Sequence, residues 1–296
     1  MKALVTGGCG FIGSHIVDRL IDIGFEVSVI DNESSISNVK FYKNPKAQYV
    51  KQCITNPHTK TLYDNVDYVF HLAAHSRIQP ALQNPIDCIE TNVLGTASVL
   101  QYAREYRVKK VIISSTSSSY GKNKPPLCED MVPDPLNPYS VSKISAENLA
   151  KMYKNLFGLD TVCLRYFNVY GDRQPLKGTY APVIGLFLEQ LKRGVPLTIV
   201  GDGEQKRDFT HISDVVDANI ACMNNSCYGV FNIGTGINYS INEIAKMISD
   251  NFTYIPERPG ECRETLANIN KARKYLNYKP SVNLKTWIGE QLNESI

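Results

Sequence analysis

The chain has 296 residues, of which 43% are hydrophobic and 21% charged, with a formal net charge of +3. That length exceeds a disulfide-stapled mini-domain, and the apolar fraction excludes wholesale disorder. No apolar run approaches the roughly 18 residues of a membrane span, and interspersed charges give no electrostatic reason to expect nucleic acid. The eight cysteines form no CxxC pair and no Cys/His spacing, so no metal is expected and a reduced, cytoplasmic setting is. MKALVTGG enters a strand at once, which leaves no room for a secretory signal.

In chain order, Lys2–Thr6 reads as a short apolar strand, followed by a glycine turn and an apolar-periodic helix over Phe11–Ile23. Gly24 stops that helix and Glu26–Ile30 makes a second strand, so the first unit is β–α–β. Strands follow at Gln48–Cys53, Asp67–Leu72, Lys110–Ser114 and Thr161–Tyr166. Helices are expected at Pro57–Tyr63, Ile86–Tyr106 and Pro138–Phe157. Near-continuous apolar strands alternating with helices predict an α/β fold, a doubly wound parallel sheet covered on both faces.

After Tyr166 the rhythm loosens. A loop rich in Gly, Pro and charge spans 168–180, then a helix Pro182–Arg193, a strand Leu197–Val200 and the polar loop GDGEQKRD. Further helices are predicted at Ser213–Met223, Ile241–Ser249, Lys271–Leu276 and near the C-terminus. The division expected is a core of residues 1–166 and a smaller substrate lobe of 167–296, with about 210–236 returning to the core through VFNIGTG.

TGGCGFIG (6–13) sets Gly7, Gly10 and Gly13 at a three-residue spacing between strand and helix. A tight turn, close backbone approach to a pyrophosphate and close helix–strand packing each demand a residue without a side chain. The helix N-terminus then offers free N–H groups to phosphate. Asp31 ends the second strand, 18 residues past Gly13, where a carboxylate bonds both ribose hydroxyls of NAD and repels the 2′-phosphate of NADP. Strand, turn, helix, strand and acid together predict Rossmann-type binding of a dinucleotide.

Tyr139 and Lys143 stand four apart at the start of a predicted helix, so both project from one face. A tyrosine with a pKa near 10 is a poor base at neutral pH. An adjacent ammonium stabilises the phenolate and makes it a usable acid/base. A hydroxyl from the SSTSSS run, at the carboxyl end of the preceding strand, reaches the same substrate oxygen.

TGGCGFIG, HLAA (71–74), TNVLGT (91–96), SSTSSSYG (114–121), YSVSK (139–143) and RYFNVYG (165–171) together resemble the extended short-chain dehydrogenase/reductase superfamily. TYAPVI (179–184), PLTIVGDGEQKRDFTHISD (196–214) and RPGE (258–261) narrow the resemblance to nucleotide-sugar epimerases, closest to UDP-glucose/UDP-N-acetylglucosamine 4-epimerases. The resemblance implies Thr116 as the catalytic hydroxyl, with Ser117 or Ser118 sharing the role, Tyr139 as the acid/base, and Lys143 as its activator and a nicotinamide-ribose ligand. It implies Phe11 and Ile12 at the phosphate turn, and Asn32, Ile54, Leu72, Ala73, Ala74, Asn92, Ser114 and Tyr166 around the rest of NAD. For the UDP-sugar it implies Asn168, Thr198, Val200 and Glu261, with Arg207 and Arg258 as diphosphate clamps. Arginine suits that task because its fork grips phosphate oxygens bidentately.

Three departures stand out. Cys53 precedes Ile54 where many relatives have Asp, so an adenine contact is expected to be lost. Arg77 replaces a commonly small or polar residue near the sugar. Thr265 occupies the sugar-pocket gatekeeper position, where Tyr would exclude an N-acetyl group and Thr leaves room. The reading is NAD-dependent 4-epimerisation of a UDP-hexose through a transient 4-keto sugar, by a homodimer built on the two long helices. Its rivals are a nucleotide-sugar 4,6-dehydratase, a UDP-glucuronate decarboxylase, a UDP-glucuronate 4-epimerase with Arg77 on the carboxylate, and a non-catalytic NAD-sensing protein. Ser117 and Ser118 stand where the first two carry acids.

Overall fold

The computed structural model describes residues 1–35, 40–176, 181–224 and 227–294. Among them, seven parallel strands form the main sheet: β1 Lys2–Thr6, β2 Glu26–Asp31, β3 Gln48–Lys51, β4 Tyr68–His71, β5 Lys110–Thr116, β6 Asp160–Tyr166 and a returning strand, Gly229–Ile233. Their spatial order is β3-β2-β1-β4-β5-β6 and then the returning strand, which pairs Phe231 with Leu164. The order in which strands are added reverses between β1 and β4, so a crevice opens at the carboxyl ends of those parallel strands. Every residue of β5 is buried, as a strand covered on both faces requires.

Two apolar clusters clothe the sheet. Ile16, Val17 and Leu20 of the Phe11–Asp22 helix join Val215 and Ala218 of the Ile212–Asn224 helix on one face. Val99, Leu100 and Ala103 join Ala150 and Tyr153 on the other. Fully burying each large aliphatic side chain contributes about 1.5–3 kcal/mol, and Leu100→Ala would cost about 2–5 kcal/mol. A third cluster, around Phe187, Leu197, Ile199, Ile244 and Trp287, belongs to the C-terminal part of the chain.

The helix expected over Ile86–Tyr106 is one run of three pieces: Pro85–Ile89, a π turn Glu90–Leu94, and Gly95–Glu105. The widened turn carries Asn92, whose side chain is bonded sideways to His75 and Ser142. Pro57–Tyr63 winds as a 3₁₀ helix rather than an α-helix. The six-residue helix Ile78–Gln83, which contains Pro80, is too short for a periodic signal and has no counterpart among the predicted elements. Equally short are Lys206–Asp208 inside the polar loop and Phe252–Ile255, which pairs in parallel with Leu197–Val200. Thr179 and Tyr180 of the TYAPVI motif, and part of the 168–180 loop, lie outside the described residues.

Candidate active site

A cleft of about 770 Å³ runs along the carboxyl ends of β1, β4 and β5 to the C-terminal lobe. Its first wall is the glycine turn. Gly7 sits at φ +71, and a Cβ there would lie 2.6 Å from Ala73 N; a Cβ on Gly13 would lie 2.2 Å from Gly7 O. Gly10 caps the Phe11–Asp22 helix without any side-chain bond, so the first-turn N–H groups face the cleft unshielded. The Asp31 carboxylate accepts from Cys9 N at 2.9 Å and Glu33 N at 2.8 Å, which fixes it at the end of β2. Phe11, Ile12, Asn32, Ile54, Leu72, Ala73, Ala74 and Tyr166 line the same stretch, and so does Cys53. This surface of bare backbone, open helix N-terminus and strand-end carboxylate fits a dinucleotide.

The second wall carries the proposed chemistry. Asn137 caps the Pro138–Phe157 helix by accepting from Ser140 N at 2.9 Å, and Pro138 pre-sets its first turn. Tyr139 and Lys143 follow on one face, both buried. Thr116 closes β5 and lines the cleft beside Tyr139, where its hydroxyl opposes the burial-driven rise of the Tyr139 pKa. The same hydroxyl oxygen accepts from Ser118 N at 3.1 Å, which orients it. The Lys143 ammonium donates to the Ser114 carbonyl at 2.9 Å and its hydroxyl at 3.3 Å. Burial pulls the Lys143 pKa down to about 8.

Burial pushes the Tyr139 pKa up, and Thr116 and the Arg77 charge oppose that rise. Asn92 is not among the described residues that line the cleft. Its amide donates to the His75 carbonyl, 3.0 Å, and Ser142 Oγ, 2.9 Å, which ties the strand-end loop to the Pro138–Phe157 helix.

Beneath the floor lies a set of groups that the sequence did not reveal. His71 is buried, and desolvation holds its pKa down at about 3. The Thr96 hydroxyl donates to the Asn92 carbonyl at 2.6 Å, so it accepts from His71 Nε2 at 2.9 Å; Nδ1 then accepts from Thr6 Oγ1 at 2.7 Å. His71 is thus a neutral strut across β1, β4 and the long helix. No local spacing marks it, because its partners lie 65 and 25 residues away. Glu147 and Arg165 form a buried bidentate pair at 2.9 and 2.7 Å, and Ser115 donates to the same carboxylate.

The side of the cleft formed by the C-terminal part of the chain is polar. Arg207 donates to the Arg263 carbonyl at 3.2 Å and lies 3.5 Å from Glu261, while Arg258, Asn168, Thr198 and Val200 line the cleft around it. Gln190 bonds the backbone and hydroxyl of Thr198 at 3.1 and 2.8 Å. Asp208 accepts from Thr235, Gly236 and Ala267, and its own N–H donates to Thr265 Oγ1 at 3.3 Å. These bonds hold Thr265, buried, at the cleft edge. Ser117 and Arg77 complete the set, so every site residue expected from the sequence except Asn92 lines one cavity.

A doubly wound sheet with a glycine turn at its switch point, and a Tyr/Lys helix beside a hydroxyl-ended strand, defines the class of dinucleotide-dependent enzymes acting on a substrate alcohol or carbonyl. Comparison narrows the class. The family model described as "NAD dependent epimerase/dehydratase family" matches residues 3–234, and the chain belongs to that family. It is 37% identical to a putative UDP-glucose 4-epimerase of Methanocaldococcus jannaschii, over 98% of this chain and 97% of that one. The fold superposes with a TM-score of 0.94 on a Thermotoga maritima UDP-glucose 4-epimerase solved with UDP-glucose, at 36% identity, covering 99% of this chain and 98% of that one. A Bacillus cereus UDP-glucuronic acid 4-epimerase, solved with UDP-glucuronic acid and NAD, gives 0.91 at 31% identity, covering 100% and 99%. The protein is an enzyme of the isomerase class with NAD as its cofactor.

Proposed function

We propose that the enzyme interconverts the C4 epimers of a UDP-hexose, UDP-glucose and UDP-galactose first among them. The observation that carries the reading is the chemistry around Tyr139. Thr116 and Tyr139 line the same cleft as the glycine turn and Lys143, and the neighbours of Thr116 are Ser117 and Ser118. The carboxylates among the described cleft residues are Asp31 beside the glycine turn, Asp87 paired with Asn84, and Glu261 beside Arg207. None stands next to Thr116, which argues against a dehydratase or decarboxylase, since each needs an acid/base there.

Gly7, Gly10, Gly13 and the first turn of the Phe11–Asp22 helix would hold the pyrophosphate of NAD, Asp31 the adenosine ribose, and Lys143 the nicotinamide ribose. When bound, NAD supplies a reversible hydride acceptor at the sugar C4. Tyr139, as phenolate, takes the proton of the 4-OH while Thr116 bonds the same oxygen, and Tyr139 returns that proton once the keto sugar has turned over. Arg207 and Arg258 grip the diphosphate while Ser117, Ser118 and Thr265 give the hexose room to rotate. Thr265, being small, also admits an N-acetyl group.

The reading includes a cytoplasmic homodimer. Among the described residues no helix is long and apolar enough to cross a membrane. Ile86 and Leu94 of the long helix run are 72% and 55% exposed, and Val141 of the Pro138–Phe157 helix 43%, an apolar stripe suited to pairing across a two-fold axis. Mixing purified protein with UDP-galactose and following UDP-glucose by chromatography tests the function. Failure to turn over any of UDP-glucose, UDP-galactose, their N-acetyl forms or UDP-glucuronate would refute it.

A further inference from the structure

The loop 256–262, which carries Arg258 and Glu261, is tied at both ends to the C-terminal part of the chain. Gly201 N donates to the Ile255 carbonyl at 2.8 Å and Lys206 N to the Arg263 carbonyl at 3.0 Å, while the Arg263 guanidinium pairs with Asp202 through two bonds. The crest of the loop, Pro259 and Gly260, is held from the other direction. Gln79 of the Ile78–Gln83 helix donates through Nε2 to the Pro259 carbonyl at 2.9 Å, and Asn137 donates through Nδ2 to the Gly260 carbonyl at 2.9 Å. Gly260 sits at φ +79, and a Cβ there would lie 3.4, 3.5 and 3.6 Å from Asn137, Ile78 and Leu82, so the crest rests directly on these residues. Arg258 and Glu261 flank the two held carbonyls, and both line the cleft.

Asn137 is buried and has both ends of its amide engaged. Oδ1 accepts from Ser140 N and Ser140 Oγ, each at 2.9 Å, which caps the helix carrying Tyr139 and Lys143; Nδ2 holds the loop. One side chain thus spans the start of that helix and the crest between Arg258 and Glu261. A loop free to sample many conformations loses them when it grips a ligand, and the entropy of that ordering weakens binding. A loop bound at its crest beforehand avoids part of that loss.

We infer that Asn137 and Gln79 are positioning residues for the nucleotide. They latch the 256–262 loop against the start of the Tyr139 helix, so that Arg258 meets the diphosphate already ordered and at a set offset from the acid/base. Neither residue needs to touch the ligand. Each acts through the loop.

The inference rests on Arg258 gripping a diphosphate, as proposed above, but one arm of its test needs no nucleotide. Serine caps a helix as well as asparagine does and is too short to reach Gly260, so Asn137→Ser removes the latch and keeps the cap. Gln79→Ala removes the second latch without touching the cap, and serves if the first variant folds poorly. In the NAD-loaded protein, cleavage at Glu261 by a glutamyl endopeptidase is expected to quicken about threefold or more in each variant, with the melting temperature unchanged. The dissociation constant for UDP, by calorimetry, is expected to rise about 3–10-fold, the value of one hydrogen bond. In an Arg258→Gln background the same substitutions should change it less than about twofold, because the latch then has no clamp to position. Unchanged cleavage in both variants overturns the inference. So does a full penalty on UDP that persists without Arg258, or a lowered melting temperature in Asn137→Ser with Gln79→Ala silent, which would leave Asn137 a cap alone. A wild type that binds no UDP would refute the functional reading and with it the role given to the loop, whereas UDP bound equally by all variants would refute the latch alone.

Discussion

Along the floor formed by β1, β4 and β5, charge is suppressed: His71 is neutral, Lys143 is pulled down to about 8, and Glu147 and Arg165 neutralise each other with side chains only 7% and 3% exposed. Across the cleft, Arg207 and Glu261 are 11% and 33% exposed and sit 3.5 Å apart, a loose pairing that a diphosphate can replace. A proton transfer of the kind proposed for Tyr139 gains from such a buried floor, where low dielectric sharpens each hydrogen bond. The more open side would suit binding and release of the proposed nucleotide. Substitutions in the floor should therefore lower kcat, and substitutions in the lobe should raise KM.

The largest expected effect tests the floor. Tyr139→Phe should lower kcat by about 10²–10⁴-fold, with binding of NAD and UDP retained by calorimetry; a loss under tenfold would remove Tyr139 from the chemistry. Gly13→Ala comes next, since its methyl would lie 2.2 Å from Gly7 O. Overpacking of that kind costs about 1–3 kcal/mol, to be read as a lower melting temperature and loss of co-purified NAD. On the lobe side, Arg207→Gln should raise KM for the UDP-sugar about 10–100-fold with kcat little changed, the value of one charge-assisted phosphate contact. A fall in kcat with constant KM would break the division of labour.

The effect that is smallest near neutrality, and grows only with acid, concerns pH. His71 has a folded pKa of about 3 against an ordinary value of 6.5, so between those limits the unfolded chain binds a proton that the folded one does not. Its contribution is complete above pH 6.5 and is lost as pH falls toward 3, at up to about 1.4 kcal/mol per pH unit. Melting curves of the wild type should thus decline more steeply with acid than those of His71→Asn. Parallel declines would mean that His71 is not held neutral.

The elements with strong periodicity or a fixed local geometry were legible early. The glycine turn, the strand ending at Asp31 and the helix bearing Tyr139 and Lys143 each follow from neighbours in sequence, because turn, cap and helix face are local matters. Residues 57–63, 78–83 and 90–94 are not readable in the same way, since a 3₁₀ turn, a six-residue helix and a π turn are too short or too irregular to show a 3.6-residue period. Asn92 lies in a motif readable from the chain, but its bonds to His75 and Ser142, 17 and 50 residues away, are not.

Spacings of a few residues suffice to read the sheet, the glycine turn and the shared helix face of Tyr139 and Lys143 from the chain alone. What distant segments bring to that site emerges only on folding: Lys143 donates to the Ser114 carbonyl, 29 residues away, and His71 bonds Thr6 and Thr96, 65 and 25 residues away. The net charge of +3 carried no hint of that arrangement. A count of charges says nothing about which of them are buried, and burial is what turns a charge into chemistry.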